Sequence, residues 1–88
     1  MHEVIEVVAR VSGETAASIR FCRGGRLRQL VSWIGWNEGL VTLRTIAASL
    51  RLRSEGNISN LIRRCELRFK RDAVLLGWLD QSMAALKN

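Results

Sequence analysis

No proline occurs anywhere in the 88 residues of the chain, and that absence narrows the possible folds more than any other feature. Proline removes a backbone N–H and clashes with the preceding turn, so without it helices can run from one glycine or serine to the next. Apolar residues recur at spacings of three and four along most of the chain, and β-branched residues are scattered rather than alternating. The spacing predicts an all-α domain of six helices. A chain of this length buries roughly 60–65% of its unfolded surface and has no room for a second core, so one domain covering residues 1–88 is expected.

The first helix is expected over about 2–12, with Val4, Ile5, Val8 and Val11 on one stripe and a stop at Ser12-Gly13, where glycine can take the left-handed position. A short second helix, about 14–21, would turn Ala16, Ile19 and Phe21 inward. The third, about 26–39, carries Leu27, Leu30, Val31 and Ile34 as a core stripe, which marks it as central, and Gly39 ends it. Trp33 and Trp36 on this helix are expected to pack rather than to stack on bases. Thr42 caps a fourth helix, about 42–50, which buries Leu43, Ile46, Ala47 and Leu50. Ser54 caps a fifth, with Ile58, Leu61, Ile62, Cys65 and Phe69 at helical spacing. A break at Arg71-Asp72 starts the sixth, about 72–86, with Leu75, Leu76, Leu79, Met83 and Leu86 on one side and Val74, Trp78 and Ala85 on another.

Charge points to a partner. Fourteen Lys and Arg oppose eight Asp and Glu, for a net charge of +6, and twelve of the fourteen are arginine. Arginine suits planar, bidentate contacts to phosphate and guanine, and an excess of this sign suits an anionic polymer. Four arginines, Arg20, Arg23, Arg26 and Arg28, crowd around Gly24-Gly25 in a basic loop over residues 22–28. The stretch RSEGNISNLIRRCE places Glu55, Gly56, Asn57, Ser59 and Asn60 on one side of the fifth helix, opposite its apolar stripe. Residues of about 42–70 thus match a helix-turn-helix, in which a small residue, here Ala47, lets the second helix approach closely. On that helix Gly56 and Ser59 admit the backbone to a groove, Asn57 and Asn60 can pair with adenine, and Arg63 and Arg64 can reach phosphate or guanine.

These residues carry a resemblance over about residues 3–86. The chain resembles the C-terminal DNA-binding domain of the bacterial replication initiator DnaA, and the related tail domain of REP-associated tyrosine transposases. It shares an opening helix like IEVVARVSG, a basic loop ending in Arg26-Leu27-Arg28-Gln29, a long helix, the segment LRTIAASLRLR and a recognition helix. The transposase pattern Ser-x-x-x-Val-Ser-x-x-x-Arg-Arg-x-Glu is reproduced by Ser54, Ile58, Ser59, Arg63, Arg64 and Glu66, with Ile58 in place of Val. Where DnaA reads its box with Asp-His-Thr-Thr, this chain has Ser54, Glu55, Gly56 and Asn57, so the transposase tail is the nearer match. The resemblance implies a six-helix bundle like DnaA domain IV and the Trp repressor. It also implies Arg23 and Arg26 in the minor groove and Arg28 and Gln29 on the phosphate backbone.

The resulting expectation is sequence-directed binding of double-stranded DNA in a bacterial, cytoplasmic and nucleoid-associated setting, with no cofactor and no metal. The REP-associated transposases cut DNA with a His pair and a tyrosine, whereas this chain has no Tyr and one His, His2, expected in a frayed terminus; it also lacks a GxxxxGK[ST] loop. No enzymatic activity is therefore expected. No apolar run nears the roughly 20 residues of a membrane span, and Glu3 and Glu6 stand where a signal peptide would need positive charge. Cys22 and Cys65 read as unpaired thiols, Cys65 in the core. The competing reading is a helical protein-interaction module whose basic surface meets an acidic partner, supported by Trp78 and the second stripe of the last helix. Contacts with upstream domains of a larger protein, or with a second copy through the last helix, belong to the same set of expectations.

Overall fold

Each helix begins and ends for a local reason. The computed structural model describes residues 2–21, 25–38, 42–50 and 55–87, with six helices and no strand among them. They are α1 (His2–Ser12), α2 (Ala16–Phe21), α3 (Arg26–Asn37), α4 (Leu43–Ser49), α5 (Glu55–Phe69) and α6 (Ala73–Lys87). Gly13 adopts φ +81°, and Glu14 N–H donates to the Ala9 carbonyl at 3.0 Å, which closes α1 as expected. The start of α2 falls two residues later than its spacing predicts. Thr15 stays outside as a cap, its Oγ1 accepting from Ser18 N–H at 3.0 Å. Thr42 caps α4 by accepting from Thr45 N–H at 3.2 Å, and Asp72 caps α6 by accepting from Leu75 N–H at 3.0 Å. The expected cap Ser54 and stop Gly39 lie outside the described residues.

The central position predicted for α3 is observed. It packs against each of the other five helices, most extensively against α5, while α6 lies along α1. Val4, Ile5 and Val8 from α1, Leu30, Val31 and Ile34 from α3, Ile46 from α4, Ile58 and Cys65 from α5 and Leu75 from α6 form one buried cluster. Trp33 meets Phe69 edge-on, with ring centroids 5.2 Å apart and planes at 88°, which pins the C-terminal end of α5 to α3. Four apolar expectations need correction. Phe21 is 58% exposed and Trp36 47% exposed, because each sits at the solvent side of its helix. Leu76 and Val74 also face outward, and Ser82, fully buried, takes a place on the inner face of α6 beside Leu75, Leu79 and Met83.

Arg28 belongs to the interior. Only 5% exposed, its guanidinium donates to the carbonyls of Ile19 at 3.0 Å and Arg20 at 2.8 Å, and to that of Leu50. The acceptors are the last turn of α2 and the C-terminal cap of α4. Carbonyls at helix ends lack intrahelical partners and carry partial negative charge, so a cation among them satisfies both needs at once. The backbone-phosphate role expected of Arg28 is therefore corrected: its donors are engaged inside the fold. Replacing Arg28 with Met should lower unfolding stability by at least about 1–3 kcal/mol, the penalty for leaving a buried acceptor unsatisfied. Arg28→Lys should recover only part of it, since one ammonium cannot reproduce the planar fork. Urea denaturation followed by circular dichroism checks both; an unchanged midpoint in Arg28→Met would refute the internal role.

Candidate nucleic-acid interface

α5 is 15 residues long, about 22 Å at 1.5 Å per residue, and its two faces differ sharply. Ile58 and Cys65 are fully buried and Ile62 nearly so, with Leu61 and Phe69 packed against the core. Gly56, Asn57, Ser59, Asn60, Arg63 and Arg64 are all exposed. The apolar residues fall three and four apart, so burying that stripe turns the intervening polar residues to solvent. α4 packs against α5, with Ile46 and Ala47 buried, and Ala47 offers only a methyl group to keep the two helices apart. Glu55 opens α5, but its side chain lies outside the described residues, as do Ser54 and Arg23 entirely.

Three of the four arginines around the basic loop fall on described residues, and all three are engaged with protein groups. Arg20 donates to His2 Nδ1 at 2.9 Å, and His2 Nε2 lies 3.5 Å from Glu6. His2 is thus the first residue of α1 rather than part of a frayed end. Arg26 donates to Asp72 Oδ2 at 3.1 Å, and its guanidinium carbon sits 4.6 Å from the Trp78 ring centroid. The free minor-groove arginine expected at position 26 is, in this structure, a clamp between α3 and the start of α6. Gln29, expected on a backbone phosphate, is only 3% exposed, and its Oε1 has no hydrogen-bond partner among the described residues.

Sequence reasoning missed two cations. Arg68 and Arg71 share a cleft with Arg64 and Gln29. Their spacing from Arg64, four and seven residues, is that of one helix face and could have revealed them. Cys65 is a free, buried thiol whose pKa is pushed up to about 12, chiefly by burial, with the Glu66 carboxylate adding to it. It is a core residue, not a nucleophile. Among the described residues no group of His, Cys, Asp or Glu could hold a metal, and no helix is long and apolar enough to cross a membrane.

In comparisons with known proteins, no family model, curated protein or solved structure matches the chain.

The Leu75 backbone N–H at Asp72 Oδ1, together with the Arg26 guanidinium, holds the Asp72 carboxyl below its ordinary 3.8. A carboxylate whose folded pKa is depressed stabilises the fold above its unfolded pKa, and that contribution disappears as pH falls through the folded value. Asp72→Ala should therefore melt at a lower temperature than the parent protein at neutral pH. The two melting curves should converge as pH is taken well below 3.8. A gap that stays constant down to that range would show that the Asp72 charge contributes nothing.

Proposed function

We propose that the chain is a double-stranded DNA-binding domain in which α4 and α5 act as a helix-turn-helix and α5 enters the major groove. The observation that carries this reading is the segregation of α5, whose apolar stripe is buried while six small, amide or arginine residues are exposed along the other side. A major groove about 12 Å wide admits one helix, and side chains with paired donors and acceptors read base edges there. Asn57 and Asn60 lie one turn apart at the N-terminal half of the helix, where base contacts are made in this class of motif. Arg63 and Arg64, one turn further on, are placed for guanine or phosphate. The sequence resemblance to the transposase-tail and DnaA domains supports the same assignment, and a bacterial replication or transposition context is part of the proposal.

The structure redistributes the expected roles. With Arg28 internal and Arg26 clamped on Asp72 and Trp78, the weight of recognition falls on α5 rather than on the basic loop. The protein-interaction reading rested on Trp78, and that ring lies beneath the Arg26 guanidinium.

Asn57→Ala and Asn60→Ala should each bring binding of a preferred duplex closer to that of bulk DNA, by roughly 1–3 kcal/mol for a lost bidentate amide contact. The fold and the salt dependence should remain, since both side chains are exposed and uncharged. Competition titrations with preferred and scrambled duplexes measure the effect. Full discrimination in both variants would remove α5 from base readout.

A further inference from the structure

Beside the C-terminal end of α5 lies a cleft of about 510 Å³, lined by Gln29, Arg64, Leu67, Arg68, Arg71 and Asp72. Three guanidinium groups converge on it. Neither Arg64 nor Arg71 makes an ion pair or side-chain hydrogen bond among the described residues, and the only carboxylate in the cleft is already occupied. Asp72 accepts from Leu75 N–H through Oδ1 and from Arg26 through Oδ2. Pairing with the helix dipole accounts for basic residues in a last turn, and the last turn of α5 contains only Arg68; Arg64 lies further up the helix and Arg71 beyond its end. The buried member of the cleft, Gln29, has an unpartnered acceptor, an unusual state for a polar atom removed from water. Rotating its amide by half a turn exchanges that acceptor for an NH2 donor. The cleft then combines three cations with a neutral donor, the set that tetrahedral oxyanions take.

We propose that this cleft binds one phosphate group, and that in a complex with DNA the phosphate belongs to the duplex backbone. The second half of the proposal rests on the function proposed above. Along α5, Arg64 lies about 10 Å and Arg68 about 16 Å beyond Asn57 at 1.5 Å per residue. The groove is about 12 Å wide, so when Asn57 faces base edges the cleft falls at the flanking strand. Bases are read at one end of the helix and its register is held at the other, the division of labour expected of phosphate contacts.

Amide NMR of the whole chain tests the site, with sodium phosphate titrated against sodium chloride at matched ionic strength. Saturable shifts are expected at residues 64–72 and at the Gln29 side-chain NH2, and they should vanish in Arg68→Gln/Arg71→Gln. Both side chains lie outside the core, and circular dichroism verifies that the double variant folds. The same variant should bind preferred and bulk duplexes more weakly by the same factor, with the salt slope shallower by about 1.8 for two lost contacts at 0.9 each. No saturable response to phosphate, or one that survives in the variant, overturns the site. Loss of the phosphate response with unchanged duplex affinity and slope overturns the backbone assignment and shows that the cleft takes free phosphate. A normal phosphate response in a protein that shows no preference among duplexes would leave the cleft standing and remove the proposed function.

Discussion

A guanidinium withdrawn from water is tolerated only where its donors meet acceptors, and Arg28 meets this condition with three carbonyls from two helix ends. The arrangement links the C-termini of α2 and α4 to α3, the helix that packs against all the others. The position of α4 follows from it, and α4 packs in turn on α5. The exposed face of α5 is therefore oriented by a chain of contacts that begins at a buried charge. The Trp33–Phe69 edge contact fixes the other end of α5 against the same helix. Between these two anchors, Ile58, Ile62 and Cys65 hold the intervening turns on the core.

A second clamp, Arg26 between Asp72 and Trp78, joins the start of α3 to the start of α6. Asp72 serves two elements, capping α6 with one oxygen and holding Arg26 with the other. Such a bond is weak on its own when partly exposed. Its effect is geometric: it keeps Arg26 away from the cleft cations and closes the negative charge of Asp72 upon itself. Positive charge that remains unmatched is then concentrated along and below α5.

Most of the helical framework was legible in the sequence, because the spacing of Leu30, Val31 and Ile34, or of Ile58, Ile62 and Cys65, records which side of each helix is buried. Caps at Thr42 and the glycine stop at residue 13 were legible for the same local reason. The fates of individual arginines were not. Whether Arg28 faces water or carbonyls depends on residues 19, 20 and 50, which meet only when the chain is folded. Ser82 shows the converse failure: the period of α6 places it inward, and its polarity argued against that reading. Phe21, two residues from Ile19 on a six-residue helix, sits on the opposite side. For the candidate site, Gly56, Asn57, Ser59, Asn60, Arg63 and Arg64 were found from spacing alone and are exposed as expected. Arg68 and Arg71 were overlooked because the motif that drew attention to α5 ends before them.

The account depends on sequence-directed duplex binding. Selection of bound duplexes from a random pool, followed by titration of the enriched duplex and of bulk DNA at two salt concentrations, addresses it directly. Neutralising each phosphate releases about 0.9 counterion, so affinity for both should fall steeply with salt while the enriched duplex keeps its advantage. A pool that shows no enrichment, or an affinity indifferent to salt, would contradict the account.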